Sequence, residues 1–189
     1  ISVAPWFLFF VAIEHLGKTE VAISNITRSV SAIFFVIAKS FAVTTGSLVS
    51  NAIGAGARKE LFPICHKVLK LGYAVGFPLV VVALLCNRWI VSFYTDNELL
   101  VELAFAPFVV MLLNYTFALP GYVYLNAVGG TGKTKITFLF QVTTTCVYLV
   151  YLYWLSFCIE ASLSLYLTAE YLFVILLALQ SIIHLKSKH

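Results

Sequence analysis

The stretch Leu103–Gly132, LAFAPFVVMLLNYTFALPGYVYLNAVGGTG, carries no charged side chain, and its length decides the fold. About 20 apolar residues cross a ~30 Å hydrocarbon core as an α-helix. A helix of this composition in water would expose an apolar surface all round. Working outward, uncharged runs recur at Ser40–Ala57, Leu71–Asn87 and Ile136–Ile159, with shorter ones at Ile1–Ile13 and Tyr171–Leu185. The period-2 alternation that a membrane β-barrel needs is absent. The spacing therefore predicts six helical spans, at 1–16, 21–50, 66–87, 101–127, 136–158 and 162–185, joined by short connections. The fold class is all-α, polytopic and membrane-embedded.

Composition agrees. The chain has 189 residues, 61% apolar and 11% charged, against roughly 45–50% and about 25% in ordinary soluble domains. Mean hydropathy is +0.99. A soluble globule, a disordered chain and a disulfide-built secreted module are excluded. The first residues carry neither a basic n-region nor a small-residue cleavage site, and Ile1 already lies in an apolar run. The expectation is that residues 1–189 form one transmembrane lobe of a longer protein.

Lys and Arg in short loops set orientation. Arg58, Lys59, Lys67, Lys70, Lys133, Lys135, Lys186 and Lys188 fall on one side if every span crosses, and only Lys18 and Arg88 on the other. That split places the C-terminus in the cytoplasm. The net charge of +4 is a topology signal. Nucleic-acid binding would gather basic residues on one soluble face, and here they are dispersed.

Several familiar motifs fail. Gly132-Lys133-Thr134 resembles the end of a phosphate-binding loop, but Ala127 stands where its first glycine belongs. Cys65, Cys86, Cys146 and Cys158 form no CxxC pair. His15, His66, His184 and His189 lack metal-ligand spacing, so neither metal nor cofactor is expected. The sequons at Asn25 and Asn114 lie inside spans. An intramembrane enzyme would want paired aspartates or a nucleophile with its base, and the spans hold no aspartate.

Polar residues inside the spans are where function should show. Arg28 and Lys39 are 11 residues apart, within about 20° of whole helical turns, and Asn25 lies close to the same line. Each cation costs ~2.5–3.5 kcal/mol at mid-bilayer, so both are expected to face a cavity or a partner. Tyr115, Tyr122 and Asn126 share a face, fit either for ring-face binding of organic cations or for interhelical hydrogen bonding. The stripe Gln141, Thr145 and Tyr148 reads as packing. Glu170 is embedded in the last span or sits at its interface. Depth from the span ends permits an Arg28–Glu170 pair.

The stretch Ile13-Glu14-His15-Leu16-Gly17 after Trp6–Phe10, then Val21–Ser29, resembles the multidrug and toxic compound extrusion (MATE) family. So do Ser47–Gly56, Phe93-Tyr94-Thr95-Asp96 and Asn126–Thr134, in register over essentially the whole chain. The resemblance implies a C-terminal six-helix lobe of a twelve-helix transporter, with an N-terminal lobe as its partner. It implies secondary antiport of drugs or other small organic compounds, by alternating access, against a sodium or proton gradient. A bacterial cytoplasmic membrane is the expected location, with lipid as surroundings and no oligomer. Sodium-coupled branches keep acids on the seventh and tenth helices. Here those positions fall near Ser2 and Ala118, which leaves the other lobe or Glu170 to supply the coupling acid. The rival readings are a lipid-linked oligosaccharide flippase, which would carry a longer basic stripe, and a non-transporting membrane scaffold.

Overall fold

A computed structural model describes residues 4–158 and 161–187, with the side chains of Ala4, Pro5, Trp6 and Cys158 outside the description. Readings placed on Ser2, Lys188 and His189 lie outside it as well. The helices are α1 (Ala4–Ile13), α2 (Lys18–Gly54), α3 (Leu61–Leu85), α4 (Asn87–Ser92), α5 (Glu98–Leu103), α6 (Phe105–Leu113), α7 (Tyr115–Gly130), α8 (Thr134–Cys158) and α9 (Leu163–Lys186). Short 3₁₀ turns at Glu14–Leu16 and Arg58–Glu60 precede α2 and α3.

Among the described residues, five helical stretches are long and apolar enough to cross a membrane: Lys18–Gly54, Arg58–Leu85, Glu98–Gly130, Thr134–Phe157 and Leu163–Lys186. The expected first span, 1–16, is described from Ala4 onward and is divided into α1 and the 3₁₀ turn Glu14–Leu16. Its described helix ends at Ile13, and its ten residues rise only about 15 Å. The polar Glu14-His15 turn and Gly17, at φ 117°, then redirect the chain into α2. The expected fourth span is also divided, into α5, α6 and α7. Asn114 marks the last of these joints, and Pro120 removes a backbone donor within α7. The Tyr73 hydroxyl donates to the Thr116 carbonyl that Pro120 leaves open, at 2.7 Å.

At its far end α2 stops on a glycine that only this residue type fits comfortably. Gly56 has φ +75°, and the Ala57 and Gly56 amides donate back to the Ala52 and Ile53 carbonyls at 2.8 and 3.0 Å. This is the Schellman arrangement of helix ends. The basic segments then converge, because Arg58, Lys133 and His184 line one small cavity. His15, Glu20, Leu103 and Ser162 line another at the opposite end. Leu85, Trp89, Phe93 and Tyr94 project outward around α4, as expected of side chains at a membrane–water boundary.

Lipid tails are as apolar as leucine, so helices associate through close packing rather than hydrophobic exclusion. The central helix α7 packs against α2, α3, α8 and α9. A Cβ on Gly121 would lie 2.6 Å from the Val174 carbonyl oxygen of α9, and one on Gly130 2.4 Å from that of Gly46 on α2. Both contacts are with backbone, which cannot rotate away. Gly121→Ala should therefore destabilise the bundle by about 1–3 kcal/mol, read as a lower thermal midpoint in detergent. Gly54→Ala, which meets open space, should leave the midpoint in place. Equal midpoints for both would show that the α7–α9 approach is not required.

Candidate functional site

A cavity of about 570 Å³ opens between α2, α6, α7, α8 and α9, with Asn25, Arg28, Lys39, Tyr122, Tyr148 and Glu170 among its lining residues. Phe35, Met111 and Phe173 supply apolar wall. The residues of α2 reach it because 11 positions bring Arg28 and Lys39 to nearly the same line of the helix.

Arg28 and Glu170 meet. The Arg28 Nη2 donates to Glu170 Oε1 at 2.6 Å, with the two side chains 5% and 16% exposed. The Tyr148 hydroxyl donates to the same oxygen at 3.4 Å. On the other side the guanidinium carbon lies 3.9 Å from the centroid of the buried Phe9 ring and 5.5 Å from that of Phe10. An arginine over an aromatic face gains about 0.5–2 kcal/mol, more as water is excluded. One guanidinium thus links α1, α2 and α9, and shares its carboxylate partner with α8. Glu170 is the eighth residue of α9, and its side chain is mostly buried within the bundle.

Lys39 lines the same wall in an exposed position. It has no hydrogen-bond or ion-pair partner among the described residues. Asn25 is exposed on the same helix, one turn before Arg28.

The shared face expected of Tyr115, Tyr122 and Asn126 is divided. Tyr122 lines the cavity, whereas Tyr115 and Asn126 do not. Tyr115 is buried and donates to the Gly72 carbonyl of α3 at 2.8 Å. Its ring fills the space that a Cβ on Gly76 would need, 2.2 Å from the hydroxyl. Asn126 donates to the Tyr122 carbonyl at 2.9 Å and lies against Gly46 of α2. Ideal-helix angles do not carry across Pro120, and the α2–α7 crossing claims the Asn126 face. Tyr148, read as packing, does pack at 1% exposure, and it also bonds Glu170. The stripe on α8 was the available signal for it. No sequence pattern pointed to Phe9, because its role depends on a tertiary stack.

No group of three or more His, Cys, Asp or Glu side chains that could hold a metal occurs among the described residues. Cys65, Cys86 and Cys146 are free thiols.

A family model described as MatE matches residues 6–155. The chain belongs to the MatE family. No curated protein and no solved structure gives a significant match. MatE members are transporters rather than enzymes, and the membrane-crossing helices make this a multi-pass integral membrane protein.

Breaking a buried pair by removing one partner costs ~3–5 kcal/mol, because it strands the other charge. Arg28→Met or Glu170→Leu alone should lower the yield of folded protein. The double variant should recover much of that loss. A double variant as damaged as the worse single would show that the pair does not couple the two positions.

Proposed function

We propose that this MatE-family chain is one lobe of a secondary antiporter that exports small organic compounds by alternating access. The observation that carries the reading is the cavity itself: about 570 Å³, open on one face, with an ion pair at its inner wall. A pocket of several hundred Å³ is the size that drug-sized molecules occupy. Two six-helix lobes facing one another across such a cavity would enclose substrate near the midplane, as repeat-built transporters do.

In this reading Glu170 is the carboxylate on which the coupling ion acts. A proton or a sodium ion arriving there competes with Arg28 for the same oxygen, and Tyr148 supplies a second donor to it. Occupation by the ion loosens the hold of α9 on α2, and departure of the ion restores it. The energy of the gradient thereby reaches the helices that line the substrate path. The basic ends of α2, α7 and α9 face the cytoplasm, by the excess of Lys and Arg there.

The test is transport by a complete two-lobed protein in proteoliposomes. An imposed proton or sodium gradient should drive concentrative dye movement, with no requirement for ATP. Collapse of the gradient should stop it, and residues 1–189 alone should move no dye. Transport that needs ATP, or that ignores both gradients, would overturn the antiport reading.

A further inference from the structure

We propose that the cavity selects organic anions, with the Lys39 ammonium binding the carboxylate, sulfonate or phosphate group of the substrate. The proposal rests on the transporter reading above and names its substrate class.

The charges around the cavity are unequal. Arg28, Lys39 and Glu170 line it, and Glu170 is already bonded to Arg28 at 2.6 Å. Among the described residues that line it, the accessible charge left over is the ammonium of Lys39. It lies ~16 Å along the helix from Arg28, close to the middle of the 37-residue α2. From that depth a four-carbon stem covers only part of the ~15 Å to either headgroup layer. Lys39 has no partner among the described residues, yet a charge at the bilayer centre needs water or a counter-charge. An anionic substrate supplies that counter-charge each time it binds, and a cationic one meets repulsion.

The rest of the wall suits the body of such a molecule. Phe35 and Tyr122 stand edge to face with centroids 6.3 Å apart, and Phe173 lines the same space. The exposed Asn25 amide adds neutral hydrogen-bonding capacity on the α2 wall. An aromatic or alicyclic frame with one acidic group matches both features.

Fluorescein and rhodamine share a xanthene ring system and differ in charge, so the ratio of their transport rates reads charge selection directly. In proteoliposomes holding the complete transporter, the wild type should favour fluorescein. Lys39→Gln should lower the fluorescein-to-rhodamine ratio roughly tenfold, as loss of one charged contact predicts. Lys39→Glu should invert the preference, and Lys39→Arg should keep it. A ratio unmoved by Lys39→Glu, with transport intact, would overturn the anion assignment and leave the transporter reading standing. Equal loss of both dyes in all three variants would also overturn it, by making Lys39 a structural residue. A membrane-inserted wild type that moves neither dye, nor any other small organic probe, would overturn the transporter reading and this proposal together.

Discussion

The Arg28–Glu170 bond is the constraint around which the bundle is arranged. Its partners are 142 positions apart in the chain, so it forms only when α2 and α9 are held at matching depth, each packed against α7. At 5% and 16% exposure the two ions have little water to fall back on, and the alternative to pairing is a poorly compensated charge. A one-turn slip of either helix would move the ends apart by about 5.4 Å. The pair therefore sets register as well as proximity. Phe9 and Tyr148 extend its reach to α1 and α8, one through a ring face and the other through a shared carboxylate oxygen.

Close backbone contacts then determine where space remains. Gly46 and Gly130 let α2 and α7 touch, and Gly121 brings α7 onto α9. The cavity occupies the part of α2 between Asn25 and Lys39, before the crossing at Gly46. Tyrosine hydroxyls secure the irregular α6–α7 region. Tyr73 serves the Thr116 carbonyl, and Tyr171 the Val110 carbonyl. A broken helix in the membrane is tolerated where neighbours satisfy its freed polar groups, and here α3 and α9 each contribute a tyrosine hydroxyl to that end.

What could be read from the sequence follows the same physics. Uncharged runs located the long helices because bilayer thickness imposes a minimum length that composition reveals. The depth match of Arg28 with Glu170 was legible, since helical rise is constant and membrane ions are few. The grouping of Tyr115 with Tyr122 and Asn126 did not survive, because angles on an ideal helix ignore Pro120 and the pull of α3 and α2 on either side of it. Phe9 was invisible for a related reason: an aromatic in an apolar run looks the same whether it faces lipid or a guanidinium. The end of the first span at residue 16 was legible too, because the polar Glu14-His15 pair and Gly17 close the apolar run.

The two cations of α2 illustrate how burial divides roles along one face. Arg28 is neutralised within the chain and immobilised by contacts from three directions, so it contributes cohesion. Lys39, on the same line of the same helix, keeps its charge toward the open side of the cavity. A field from an unpaired ammonium is strong in this setting, because the surrounding apolar walls screen it weakly compared with bulk water. Such a charge stabilises whatever anion enters and adds nothing to the packing of the lobe. The pair at Arg28 holds the wall in shape, which fixes the position of the ammonium that the cavity presents. Cohesion and recognition are thus separated by three turns of one helix.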